Sequence, residues 1–226
     1  MKSSLVVFDM DGVLVDVNDS YRETIQQTVE HFSGRRPTRD FIQEMKNQGG
    51  WNDDWSLSHQ IILDYGVEAG RQEVVDYFQS IFLGPNHDGL ITRERWLPAS
   101  GFFERLSQRH LLGVFSGRMR EEIDITLRRF VPHVSFHEKV GMDDVERLKP
   151  APDGLLLIAS RNPGVKLWYV GDNVDDARCA RAAGVPFVGI AHSSSPRHRE
   201  MAELHLAEDA LAVLDDINQL ETVPGI

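Results

Sequence analysis

Val7-Phe8-Asp9-Met10-Asp11-Gly12-Val13-Leu14-Val15-Asp16 is the stretch that sets the fold. Its first two residues complete a run, Ser-Leu-Val-Val-Phe over residues 4–8, that stops abruptly on acid. A short apolar run without alternation reads as a strand buried on both faces. In an open parallel sheet, ligands bind beyond the C-terminal strand ends, where Asp9 falls. Asp11 lies two residues on, and Gly12 permits the tight backbone such a loop requires. Two carboxylates so close repel unless a cation sits between them or one holds a proton. One carboxylate can attack phosphorus and form an aspartyl-phosphate. The other can protonate the leaving oxygen and then activate water. A calcium loop is the competing reading, but an EF-hand needs a Glu at loop position 12. Counted from Asp9, that position is Ser20.

Downstream the pattern becomes helical. Ser20 and Glu23 have capping-box spacing, with Tyr21, Ile25, Val29 and Phe32 on one face and Gly34 as a stop. A second helix follows Pro37-Thr38 and ends at Gly49-Gly50. Asp53 or Asp54 caps a third, and a fourth runs from about Ala69 to Leu83. Four helices without a strand predict a small helical bundle. After the Gly84–Gly89 loop, apolar runs (Leu111–Phe115, Val134–Val140, Leu167–Val170, Pro186–Ile190) alternate with helices near 101–110, 120–130, 153–161 and 174–183. That alternation predicts an α/β fold, a doubly wound Rossmann-like parallel sheet. The first strand belongs to it. The expected organisation is a discontinuous core of residues 1–16 and 90–226, with an inserted helical unit of residues 17–89.

Three more clusters fall at predicted strand ends or just before helices. Ser116-Gly117-Arg118 follows an apolar strand. The Ser116 hydroxyl and the N–H groups around Gly117 are placed to hold a phosphate oxygen, or Ser116 simply caps the helix. Arg118 is either a bidentate ligand for phosphate or substrate, or a surface charge. Lys149 sits in Leu148-Lys149-Pro150-Ala151-Pro152, where proline restricts the backbone. Its ammonium can neutralise the nucleophile and a phosphoryl oxygen. Gly171-Asp172-Asn173-Val174-Asp175-Asp176 again puts acid at a strand end. Asp172 is a candidate direct ligand for magnesium, and Asp176 a ligand through water.

Composition narrows the classes. The 226 residues carry a formal charge of -11, which disfavours nucleic acid as a partner. An acidic protein that binds phosphate needs a local positive centre, and a divalent cation is one supply. No apolar run approaches the roughly 20 residues of a membrane span. The opening run is too short for a secretory signal core. The lone cysteine, Cys179, reads as a packed small side chain and points to a cytoplasmic setting. His192 and His198 flank a Ser-rich loop and read as surface residues.

As a set, Asp9-x-Asp11-Gly12-Val13, Ser116, Lys149-Pro150 and Gly171-Asp172-x-x-Asp175-Asp176 resemble the four motifs of the haloacid-dehalogenase-like superfamily, subfamily I with a helical C1 cap. The resemblance implies magnesium held by the Asp9 side chain, the Asp11 backbone carbonyl and Asp172. It implies Asp9 as nucleophile, Asp11 as general acid and base, and the inserted helices as a cap. Dehalogenases of this kind generally lack the second acid, so Asp11 favours a phosphomonoester. Phosphonate hydrolases lack that acid too and need a cap lysine, and Lys46 is the only one in the inserted unit. Sugar-phosphate mutases carry Thr and His where Val17 and Tyr21 stand. The stretch Gly49-Gly50-Trp51-Asn52-Asp53-Asp54-Trp55 looks like a subgroup associated with histidine-biosynthetic genes. This implies histidinol phosphate as substrate, with Trp51, Asn52 and Asp53 meeting its leaving group. The competing reading of that stretch is a helix stop followed by a capped helix. The expected partner is a small phosphorylated metabolite, and the protein a monomer or homodimer. A phosphotransferase and a non-catalytic phospho-ligand sensor are the other functions open at this point.

Overall fold

The computed structural model describes residues 2 and 4–226. The chain divides into two compact units, one of residues 1–15 and 96–226 and one of residues 16–95. Residues 90–95, expected in the core, belong to the helical unit. They include a short 3-10 turn, Leu90–Arg93, whose Leu90 and Ile91 are buried.

The larger unit is built on a six-stranded parallel sheet. Its strands are β1 (Ser4–Phe8), β4 (Leu111–Phe115), β5 (Glu138–Val140), β6 (Lys166–Gly171), β7 (Phe187–Ile190) and β8 (Ala212–Leu214). Two short strands, β2 (Val15–Asp16) and β3 (Arg95–Trp96), pair where the chain leaves this unit and returns. Sheet order is β5-β4-β1-β6-β7-β8. From β1 the chain adds strands outward on one side, then restarts on the other side with β6. The reversal leaves a crevice between β1 and β6, where open α/β sheets bind ligands. Register then fixes what meets there. Phe8 pairs with both Val114 and Val170, so Asp9 emerges level with the ends of β4 and β6.

All five residues of β1 are buried, as its unbroken apolar character requires. The helices of this unit are α5 (Phe102–Arg109), α6 (Arg120–Phe130), α7 (Asp153–Arg161), α8 (Val174–Ala183) and α9 (His198–Ala207). They contribute Leu155, Ile158, Ala177, Cys179 and Ala180 to a core shared with Leu5, Val7, Phe115 and Tyr169. The strand expected over Val134–Val140 begins only at Glu138. Pro132 lacks an N–H, and the chain turns after it before His137 donates to Leu112.

The smaller unit holds α1 (Tyr21–Ser33), α2 (Arg39–Gln48), α3 (Asp54–Asp64) and α4 (Arg71–Phe82). Ile25 and Val29 of α1, Ile61 of α3, and Val74, Phe78 and Phe82 of α4 are fully buried. The Tyr21 ring lies 4.0 Å from that of Phe82. Helix α2 opens as read: Thr38 accepts from the Phe41 N–H. Helix α1 does not. Ser20 makes no side-chain cap. Its hydroxyl donates to Val17, while Glu23 turns to Gln27 and Arg36.

Candidate active site

The end of β1 is where the sequence-derived acids converge. Ligand oxygens of Asp9, Asp172 and Asp176 all lie within 4.8 Å of one another. Asp9 is held from behind, its N–H bonded to the Val170 carbonyl at 2.7 Å. Two glycines make the approach possible. A Cβ on Gly12 would lie 1.8 Å from Asp172 Oδ2, and one on Gly171 would lie 2.4 Å from the Asp176 Cβ. No side chain fits at either position. Gly12 also has φ +73°, which disfavours any other residue.

Lys149 ties the cluster together. Its Nζ donates to Asp9 Oδ1 at 2.9 Å and to Asp176 Oδ1 at 2.6 Å, with the side chain only 1% exposed. Asp176 is held at both oxygens. Oδ1 also accepts from the Tyr169 hydroxyl at 2.8 Å, and Oδ2 accepts the N–H groups of Asp172 and Asn173. Asn173 caps α8 for the N–H groups of Asp175 and Asp176. Tyr169 is the participant the sequence did not reveal. Its hydroxyl accepts from Lys149 at 3.1 Å while donating to Asp176.

Acid is concentrated here: Lys149 meets Asp9 and Asp176, Arg118 meets Asp11, and Asp172 stands beside Asp9 and Asp176. Burial pushes the Asp9 carboxyl well above its usual value, and the charges of Asp176, Asp11 and Asp172 push the same way against Lys149. Burial works against the Lys149 ammonium too, but Asp176 and Asp9 overcome it and hold its pKa above the ordinary lysine range. An oxygen-only donor set of three carboxylates suits a hard divalent cation such as magnesium. Asp9, Asp172 and Asp176 are the side chains that would hold it. The Asp11 side chain is not in that group.

Ser116 follows β4 and is buried, and its Oγ accepts the Arg118 N–H at 3.3 Å. Gly117 beside it is half-buried. Arg118 is not a surface charge. Its guanidinium is buried against Asp11 and Thr126. His192, read as a surface residue, donates through Nε2 to the Gly12 carbonyl at 2.6 Å and so braces the Asp9 loop. His198 pairs with Asp215 at 2.8 Å. Cys179 packs as expected, and burial pushes its thiol up to about 12.

Trp51, Asn52 and Asp53 lie in the helical unit. Asp53 caps α3 through the Trp55 N–H at 2.9 Å and pairs with Arg71 at 3.2 Å. Asn52 has a buried Nδ2 without a hydrogen-bond partner. Trp51 is half-buried.

Residues 6–190 match the family model for haloacid dehalogenase-like hydrolases. The chain belongs to that family. A haloacid dehalogenase-like hydrolase from Bacteroides fragilis superposes with a TM-score of 0.77 at 22% identity, covering 97% of this chain and all of that one. Phosphatase Tt82 from Thermococcus thioreducens gives 0.65 at 24% identity, covering 91% of this chain and 99% of that one. At such identities these likenesses speak for the fold. Among sequences, an imidazoleglycerol-phosphate dehydratase from Phytophthora nicotianae is 31% identical over 196 residues. That match covers 82% of this chain but spans only 42% of the relative's length. A pyrophosphatase PpaX from Bacillus pumilus is 24% identical over 92% of this chain and 95% of its own. The four motif clusters thus sit in a haloacid dehalogenase-like hydrolase, on the sheet order and crevice described above.

Proposed function

We propose that this hydrolase is a magnesium-dependent phosphatase that cleaves a small phosphomonoester through an aspartyl-phosphate on Asp9. The observation that carries this reading is the convergence of the Asp9, Asp172 and Asp176 carboxylates, with Lys149 bridging the buried Asp9 and Asp176. Asp9 attacks phosphorus in line, forming the carboxylate–phosphorus bond as the ester P–O bond breaks. Asp11 protonates the leaving alkoxide, then takes a proton from the water that cleaves the acyl phosphate. Lys149 fixes the Asp9 carboxylate and offsets charge on the phosphoryl oxygens. The Ser116 hydroxyl and the Gly117 N–H group are assigned to another of those oxygens. A bound divalent ion supplies the positive charge that keeps Asp9 ionised and screens the incoming phosphate.

Relatives named as phosphatases and a pyrophosphatase support phosphoryl-ester chemistry. The dehydratase relative's name specifies an imidazole-bearing phosphomonoester. Histidinol phosphate shares both groups, which supports it as the first substrate to try. In the helical unit, Trp51, Asn52 and Asp53 are assigned to substrate choice, with Asn52 Nδ2 the unengaged donor. We place the protein in the cytoplasm, acting on a soluble metabolite; among the described residues, no helix is long and apolar enough to cross a membrane. The test is phosphate release from histidinol phosphate, phosphoglycolate, sugar phosphates, nucleotides and p-nitrophenyl phosphate with magnesium. Release that stops on chelation is expected. No release from any of them contradicts the reading.

A further inference from the structure

We propose that Arg118 is a positioning residue for Asp11: it anchors one carboxylate oxygen so that the other carries the proton. This rests on the reading of Asp11 as general acid and base. The guanidinium is among the largest fully buried side chains, with 1% of its side-chain surface exposed. Its Nε donates to Asp11 Oδ1 at 2.7 Å, and Nη2 lies 2.6 Å from the same oxygen. Nη1 donates to Thr126 Oγ1 on α6 at 3.0 Å. Both nitrogens converge on Oδ1, and neither engages Oδ2.

The chemistry needs this division. Asp11 must give a proton to the leaving oxygen and later take one from water, in two directions from one fixed position. A carboxylate free to rotate interchanges its oxygens and loses alignment. A buried guanidinium is costly to leave without its counter-charge, so the contact with Oδ1 persists through both steps. Oδ2, on a side chain 30% exposed, is the oxygen left for proton transfer. Thr126, itself fully buried, prevents the guanidinium from swinging away. The Asp11 loop belongs to β1 and the anchor to the β4–α6 connection, so the contact also links the two halves of the site.

The leaving group tests this. A general acid matters greatly for an alkyl phosphate, whose alkoxide is a poor leaving group. It matters little for p-nitrophenyl phosphate, whose phenolate leaves unassisted. Arg118→Lys and Arg118→Met should lower kcat/KM, which reports the steps through departure of the leaving group, about 10²-fold for glycerol phosphate or another alkyl phosphate, within the range of general acid catalysis. The kcat/KM of p-nitrophenyl phosphate should fall at most several-fold, while kcat falls for both esters where the shared hydrolysis of the acyl phosphate becomes limiting. Asp11→Asn should show the same bias, and the double variant Asp11→Asn/Arg118→Met should lose no more than Asp11→Asn alone. Thr126→Val keeps the guanidinium and should give a weaker loss of the same bias, so the inference stands or falls even where Arg118 variants fold poorly. A rise in KM of equal size for both esters would instead make Arg118 a substrate ligand. Equal losses of kcat/KM for both esters, or multiplicative losses in the double variant, would overturn the inference while leaving the phosphatase reading intact. A wild-type protein that turns over neither ester overturns both.

Discussion

Two helices of this protein open on almost the same letters. Asn52-Asp53-Asp54 leads into α3 and Asn173-Val174-Asp175-Asp176 into α8. At α3 each acid has its own task and its own cation. Asp53 caps the helix and meets Arg71, while Asp54 meets Lys46 at 2.5 Å. At α8 Asn173 accepts the first-turn N–H groups, while Asp176 completes the cap with Oδ2 and reaches back toward β1 with Oδ1. There it shares one lysine with Asp9 and stands beside Asp172. Acids at a helix start are ordinary, since the macrodipole favours them. What marks a site is that carboxylates from separate strand ends converge and two of them share one buried lysine.

The contrast can be broken most severely at Asp9. Asp9→Asn should reduce turnover on the order of 10⁴-fold or more, by steady-state phosphate release. Its melting temperature should stay close to wild type, because Lys149 keeps Asp176 as its counter-charge and burial disfavours the Asp9 charge. Next comes a matched pair. Saturating magnesium should stabilise the wild type by about 2.7 kcal/mol at a hundredfold excess over Kd. Asp176→Asn should weaken the metal affinity by about 10–100-fold, read as a melting-curve titration. Asp54→Asn should lower stability by about 1–3 kcal/mol, because it leaves Lys46 without its partner, yet keep the full magnesium response. Equal magnesium responses in both variants would erase the distinction between the two helices. A smaller effect is expected from Asp53→Ala, about 1 kcal/mol of stability lost with the cap, by urea denaturation.

The mildest effect lies outside both acid clusters. Burial, with Arg109 and Lys2 adding to it, lowers the pKa of His110 below the ordinary histidine value. The folded chain thus refuses a proton that the unfolded chain accepts near pH 6.5 and below. This contribution to stability is complete above that pH and is lost as the pH falls toward the folded value. His110→Leu should flatten that acid-side decline in urea midpoints measured between pH 8 and pH 5. An unchanged slope would assign the decline to other groups.

Much of this was legible before any coordinates. The buried parallel strands are unbroken apolar runs, so β1, β4 and β6 announced themselves, and the acids that follow β1 and β6 fall together in space. Helix α9 and strand β8 went unread because they bury little. Within α9 only Met201 and His205 are buried, too thin a face to show a period. Tyr169 sits inside an apolar strand whose neighbours are all buried, so nothing local indicates where its hydroxyl turns. His192 meets a carbonyl 180 residues away in sequence, a contact that spacing cannot suggest. Arg118 had two open readings, and the burial of its guanidinium against Asp11 rules out the surface charge.

The most direct measurement is acid quenching of the enzyme during turnover with magnesium, followed by peptide mass mapping. A phosphoryl group on the peptide containing Asp9, absent from Asp9→Asn and lost on a chase without substrate, is the result this account predicts. Phosphate released at full rate with no phosphoryl group ever found on Asp9, or with it found on another residue, would contradict it.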